Sequence, residues 1–303
     1  MILSVSRRTD IPALYSDWFY DRVKDGFVLV ENPFFPNGKV AKIKIEPVRV
    51  TTNLLGGKGV TGNVDGIIFW TKNPQPMMAR MDELDEFKYY FQFTLNAYDE
   101  KIESNVPPLI ERIKTFQELS QWIGADRVIW RYDPILLSKD ITIEWHLEQF
   151  ESLAKQLSGF TKTCNIAFLI GKHRDFFCPS YPQMDEILNN LSRISTRHGI
   201  QLHACAQKND WSKYGIKQSR CTAPELLAKL TGGKVKTKRL DGQRKDCKCM
   251  PCVDIGIYNT CKNGCVYCYA NGFYGYRGEP KSMLDKLDGE IYERKTERLF
   301  DYF

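Results

Sequence analysis

Three cysteines in the stretch NTCKNGCVYCYAN, residues 259–271, are spaced C-x-x-x-C-x-x-C, with Tyr267 immediately before the last. Thiolates are soft ligands that suit zinc and iron–sulfur clusters, and spacing separates the two. A structural zinc site presents four ligands, commonly as paired C-x-x-C knuckles. Three cysteines on one short loop suit a 4Fe-4S cluster instead: Cys261, Cys265 and Cys268 bind three irons and leave the fourth without a protein ligand. An iron with an open position is a place for chemistry.

A second group lies upstream. Cys205 ends a predicted strand in LHACAQ, Cys221 follows in QSRCTAPELL, and Cys247 and Cys249 form CKC, with Cys252 close enough in sequence to replace Cys249. Four thiolates converging on one rim would hold either a second 4Fe-4S cluster or a tetrahedral zinc. Cys164 and Cys178 have no partner at ligand spacing and read as structural. Disulfides do not explain ten cysteines if the chain is cytoplasmic. That location is expected because no apolar run approaches the roughly 20 residues of a membrane span. In addition, MILSVSRRTDIPALYSDW puts two arginines and an aspartate where a signal peptide needs an apolar stretch.

Positioning such ligands is the task of the remaining chain. Runs rich in β-branched and aromatic residues predict strands at Ile2–Arg7, Gly66–Thr71, Tyr89–Leu95, Arg127–Tyr132, Asn165–Ile170, Gln201–Cys205 and Asp254–Asn259. Amphipathic stretches lie between them, such as PPLIERIKTFQELSQWIG, which opens on prolines and ends on glycine as a helix should. This alternation predicts an α/β fold with a parallel sheet, and the number of units suggests a TIM-like (β/α) barrel, complete or partial. FVLVENPFFPNGKVAKIKI is expected to add a hairpin. Residues 1–230 would form the main part of the barrel. Residues 231–303 would supply a basic connector and a cysteine-rich cluster-binding segment that completes it.

Chemistry in such barrels sits at the C-terminal ends of the strands. The residues predicted there are Arg7, Arg8 and Asp10, then Lys72 and Asn73, Asn96, and finally Arg131 and Asp133. A rim of this kind suits a polar, anionic ligand, although for any one of these residues a structural ion pair explains the charge equally well. Of the formal charge of +6, most lies between Lys234 and Lys248, where seven basic residues meet only Asp241 and Asp246. Such a segment can steer a nucleic acid, yet without interleaved aromatics it also reads as a solvated connector. Arg244, in the pair QR, is its candidate site residue. The histidines His146, His173, His198 and His203 carry little signal, and a lone histidine is more often structural than a ligand.

The spacing of Cys261, Cys265, Tyr267 and Cys268 resembles the signature of the radical S-adenosylmethionine (SAM) superfamily, C-x-x-x-C-x-aromatic-C. The resemblance implies that SAM chelates the open iron and that Tyr267 lies near its adenine. It also implies that one electron, from a donor such as ferredoxin or flavodoxin, cleaves the sulfonium to a 5'-deoxyadenosyl radical. FWTKNP, FQFTLNAYDEKIESNVPPLIERI and RVIWRYDPIL resemble the spore photoproduct lyase branch of that superfamily. Ordinary members place the cluster loop after the first strand, whereas only 35 of the 303 residues follow Cys268 here. A circular permutation is therefore expected, with the strand before the loop lying beside the first strand. Over nearly the whole chain, SVSRRTDIPA, FWTKNP, VIWRYDPI, QR before C-x-C, and the terminal C-x-x-x-C-x-Y-C-Y-A resemble an uncharacterised bacterial family, DUF1848.

Two functions follow as expectations. One is an iron–sulfur enzyme of the radical SAM type acting on an unidentified substrate of the nucleic acid or nucleotide class. The other is a non-catalytic zinc or iron–sulfur protein whose rim recognises an anionic partner such as nucleic acid.

Overall fold

A computed structural model describes residues 1–31, 40–52, 58–170, 175–205, 209–218, 220–232, 247 and 249–271. Its elements in chain order are β1 (Ile2–Val5), α1 (Ile11–Leu14), α2 (Ser16–Asp25), β2 (Phe27–Glu31), β3 (Val40–Lys44), β4 (Arg49–Thr52), β5 (Lys58–Thr61), β6 (Gly66–Thr71), α3 (Gln75–Met78), β7 (Tyr89–Thr94), α4 (Leu109–Ile123), β8 (Val128–Ile135), α5 (Ile143–Leu157), β9 (Thr163–Phe168), α6 (Tyr181–Arg197), β10 (Gln201–Ala204), β11 (Lys217–Gln218), α7 (Pro224–Thr231) and β12 (Val253–Asp254).

Eight strands form one sheet in the order β11-β10-β9-β8-β7-β6-β1-β12, every pair parallel. The parallel α/β reading is thus observed, but β11 and β12 do not pair with each other among the described residues, so the sheet is open rather than a closed barrel. Each of these two edges contributes only two residues. The strand expected over Asp254–Asn259 ends at its first residue. Asp254 Oδ1 accepts from the Gly256 amide (3.1 Å), turning the chain where a ladder would have continued. β2 and β3 form the expected hairpin, and β4 with β5 forms a second one that the sequence reading did not anticipate.

Side-chain alternation along the strands separates two faces. Leu3, Phe69, Phe91, Trp130 and Ile166 join the main core with Phe116 of α4, Phe150 of α5 and Leu191 of α6. Trp130 stacks on Phe150 with centroids 4.7 Å apart. Helix α4 occupies the predicted span, preceded by Pro108 and stopped at Gly124, whose φ of 95° favours glycine. On the opposite face, Ile2, Ile68, Tyr90 and Ile129 pack against Leu227 of α7 and Met250. This helix therefore plugs the far face of the sheet near the N-terminal ends of the strands, and a Cβ at Gly66 would come within 2.5 Å of Leu227 Cδ2. Above the plug this face turns polar, carrying Ser4, Gln92, Arg131 and Asn165.

His146 illustrates how α5 is bound to the sheet. It is fully buried, with Nε2 donating to the Leu136 carbonyl (2.7 Å) and Nδ1 accepting from the Tyr132 hydroxyl (2.8 Å). Burial lowers its pKa from 6.5 to about 4. The unfolded chain takes up a proton near pH 6.5 while the folded one does not until about pH 4, so stability is full above the first value and falls as pH drops toward the second. At ~1.4 kcal/mol per pH unit the loss totals about 3 kcal/mol. Urea unfolding of His146→Gln across this window should show a pH slope shallower than wild type by about one proton.

Candidate metal centre

The loop carrying Cys261, Cys265 and Cys268 leaves β12, and β12 lies beside β1 with Leu3 opposite Val253 and Ser4 opposite Asp254. The strand before the loop thus neighbours the first strand, as the sequence reading required. Two walls hold the loop. On one side Thr9 Oγ1 donates to the Ile257 carbonyl (2.7 Å), the Tyr15 hydroxyl donates to the Thr260 carbonyl (2.8 Å), and Asn263 Nδ2 donates to Asp10 Oδ2 (2.9 Å). On the other, the Val266 amide donates to the Ile102 carbonyl (3.0 Å), the Asn105 amide to the Asn263 carbonyl (3.1 Å) and Asn105 Nδ2 to the Lys262 carbonyl (2.7 Å). Gly264, at φ 69°, fits so closely that a Cβ there would lie 2.0 Å from Ser104 Oγ.

Beneath the loop sits a buried charge network centred on Glu103, a residue that sequence reasoning missed. Lys72 Nζ donates to Glu103 Oε1 (2.8 Å) and to the Tyr267 hydroxyl (2.9 Å), and that hydroxyl donates to Glu103 Oε1 (2.5 Å). Arg112 Nη1 stands 3.5 Å from Oε2, which has no hydrogen-bond partner among the described residues. Burial raises the Glu103 pKa, but Lys72 and Arg112 outweigh it and hold the carboxyl below its usual range. Burial also raises Cys261 to about 11 and Cys265 to about 12, the latter partly offset by Lys72. Three thiols on one anchored loop, with a cation facing one of them, are a donor set that fits a 4Fe-4S cluster.

The second cysteine group also assembles. Cys205, Cys221 and Cys249 place their sulfur atoms within 4.8 Å of one another and can hold a metal ion or cluster; this is the one such group among the described residues. Cys249 Sγ lies 3.5 Å from Cys205 Sγ and accepts from the Cys221 amide (3.1 Å). Hydrogen bonds from Cys205 and Cys221 hold Cys249 below the usual thiol range, and Cys205 is raised in return. Cys247 is buried nearby. Cys252 instead accepts from Arg7 Nη2 (2.9 Å).

Both thiol groups line one cavity of about 360 Å³ at the C-terminal ends of the strands, together with Arg7, Arg8, Asp10, Lys72, Arg131, Asp133 and Tyr267. Several of these also have structural partners. Asp10 caps α1 at Ala13 and accepts from the Lys72 amide, and burial raises its pKa. Arg7 and Arg8 reach buried Asp254, another residue that sequence reasoning missed. Arg131 pairs with Asp133, donates to Cys221 Sγ (3.4 Å) and lies over Trp70 at 5.1 Å.

Two predicted site residues stand outside the cavity wall. The Asn96 side chain ties β7 to β8 by donating to the Asp133 carbonyl (2.9 Å) and accepting from the Asp133 amide (3.1 Å). Asn73 Oδ1 accepts from the Gln75 amide (3.3 Å) at the start of α3. Arg244, His173 and most of the basic segment 234–248 lie outside the described residues. Cys164 is buried on the helix-facing side, and Cys178 is exposed.

The arrangement is a polar cavity with thiols on two of its walls and cations between them, suited to a metal or cluster beside an ionised ligand. Among curated proteins no sequence matches the chain. A solved structure of a protein provisionally assigned as an α-L-fucosidase, from Bacteroides thetaiotaomicron VPI-5482, is similar at 12% identity over 60% of this chain and 80% of that one. Its TM-score of 0.27 carries no argument. The model of the family described as "Domain of unknown function (DUF1848)" matches residues 2–270, so the chain belongs to the DUF1848 family.

Proposed function

We propose that the protein is an iron–sulfur enzyme of the radical SAM type. In this reading the open parallel sheet is a partial, circularly permuted (β/α) barrel, with residues 1–230 as its main part and 231–303 supplying the connector and the cluster-binding segment. Cys261, Cys265 and Cys268 hold the 4Fe-4S cluster. The observation that carries the reading is the seating of the signature loop: it follows a strand paired to β1 and opens onto the cavity at the C-terminal rim. Bound there, a cluster with an open iron supplies one-electron reductive cleavage of SAM, with the electron coming from a ferredoxin or flavodoxin.

The chain's own residues do the positioning. Tyr267 presents its ring to the cavity while its hydroxyl is engaged by Glu103 and Lys72, which fixes the ring's attitude. Arg7 and Arg131 place positive charge on the wall, appropriate to an anionic substrate of the nucleotide or nucleic acid class. Trp70, Ile166 and Phe168 line the same space and limit water.

Protein reconstituted anaerobically tests the proposal through iron and sulfide content, the EPR spectrum of the reduced cluster with and without SAM, and assay of 5'-deoxyadenosine. A spectrum perturbed by SAM, with deoxyadenosine formed, is the expected result. A signature loop that takes zinc, or a cluster indifferent to SAM, would instead support a non-catalytic protein recognising an anionic partner.

A further inference from the structure

Cys205, Cys221 and Cys249 are distinguished by where they leave the sheet. Cys205 follows β10 and Cys221 follows β11 at one edge, whereas Cys249 leads into β12 at the other. Their sulfurs nevertheless meet within 4.8 Å. Tetrahedral zinc, with thiolates at ~2.3 Å, sets its sulfurs ~3.8 Å apart. A 4Fe-4S cluster binds each thiolate through a different iron and needs its sulfurs spread more widely. We propose that Cys205, Cys221 and Cys249, with Cys247 as fourth thiolate, form a mononuclear zinc site that fastens the two edges of the open sheet to each other.

The surroundings suit such a centre. Four thiolates around one zinc leave net negative charge, and Arg131 Nη1 points at Cys221 Sγ from 3.4 Å. The Cys221 amide, donating to Cys249 Sγ, supplies the N–H···S contact expected of groups that orient metal ligands. The loops themselves are locked together: the Met250 amide donates to Thr222 Oγ1 (2.6 Å), and Tyr90 Oη and Gln92 Nε2 both donate to the Cys221 carbonyl (2.8 and 3.0 Å). Cys247 is the fourth ligand because it is buried, stands two residues from Cys249 and lines the same cavity, whereas Cys252 is turned to Arg7. The site uses none of the signature loop's cysteines and does not depend on what that loop binds.

Metal analysis of the whole chain, purified anaerobically from cells supplied with zinc and iron, is the test. One zinc per chain is expected, lost in Cys205→Ser, Cys249→Ser and Cys247→Ser but kept in Cys252→Ser and Cys268→Ser. X-ray absorption at the zinc edge of the unmodified protein, which needs no variant to fold, should show four sulfurs at ~2.3 Å. Chelation of that zinc should lower the melting temperature and speed hydrogen exchange in β1 and β12. Zinc that survives Cys249→Ser, or iron and sulfide at these thiols in the Cys268→Ser protein, would overturn the proposal. Loss of zinc in Cys252→Ser with retention in Cys247→Ser would overturn the assignment of the fourth ligand.

Discussion

Cys265→Ala is expected to strip the signature loop of the 4Fe-4S cluster proposed for it, about four irons and four sulfides per chain, and to reduce the proposed SAM cleavage to background. The loop itself should stay seated. Its attachment beside Cys265 runs through backbone, from the Val266 amide to the Ile102 carbonyl, and through Asn263 and Asn105, none of which the substitution touches. Cys265 is only half-buried, so the stability cost should stay within about 1–2 kcal/mol, the range of ordinary substitutions. A variant that folds, keeps metal at Cys205, Cys221 and Cys249 and has lost SAM cleavage would separate the two thiol groups by function. Iron and sulfide assays with deoxyadenosine detection read both quantities, and cleavage retained by this variant would remove the radical SAM assignment. Exposed Cys178, changed to alanine, should leave every readout at the wild-type level.

Much of this architecture was legible because it is written in period-2 alternation and in turn chemistry. Phe69, Phe91 and Trp130 fall on one face of neighbouring strands, and Ile68, Tyr90 and Ile129 on the other, a pattern that specifies a sheet covered on both sides. What covers the second face was not legible. PELLAKLT reads as an amphipathic helix like the others, and only the fold shows Leu227 pressed against Ile2 and Ile68 instead of joining α4–α6. The last strand misled for a different reason: VDIGIYN alternates like a ladder, yet the Asp254 carboxylate is taken by Ser4, Ser6 and the amides of Arg7 and Gly256. Gly256 also lies so near Ser6 that a Cβ would come within 1.9 Å of Ser6 Oγ. The cysteine spacings singled out two groups, but the seating of the signature loop depends on contacts such as Thr9 with Ile257, 248 positions apart, and the meeting of Cys249 with Cys205 and Cys221 depends on how the loops beyond the strands close together. Glu103 was hidden among the charges of DEKIES, where a carboxylate ordinarily points to water. Its position in the loop after a parallel strand, at the end of the sheet that carries chemistry, was the available signal.

Glu103→Gln should be among the most damaging substitutions in the chain that leave every cysteine in place. The wild-type residue is 2% exposed and faces Lys72, half-buried with 12% side-chain exposure, and Arg112, buried at 2%. Glutamine keeps the shape but removes the charge, leaving two cations in a low-dielectric pocket without the carboxylate they share. Breaking a buried ion pair from one side costs about 3–5 kcal/mol, far above the ~0–1 kcal/mol of a surface pair such as Arg49–Glu86. Urea unfolding should show this loss. It should also show that the wild-type contribution is present above the ordinary carboxylate pKa and disappears as pH falls through the depressed value in the folded state, because the carboxyl must then take a proton in the unfolded chain first. Tyr267→Phe offers the comparison, since it removes one hydroxyl from the same oxygen and leaves the ions paired; about 1–3 kcal/mol is the expected cost. If Glu103→Gln proved no worse than Tyr267→Phe, the network would be acting through hydrogen bonding alone. A larger loss, accompanied by weaker retention of iron at Cys261, Cys265 and Cys268, would place the stability of the cluster loop in the charge buried beneath it.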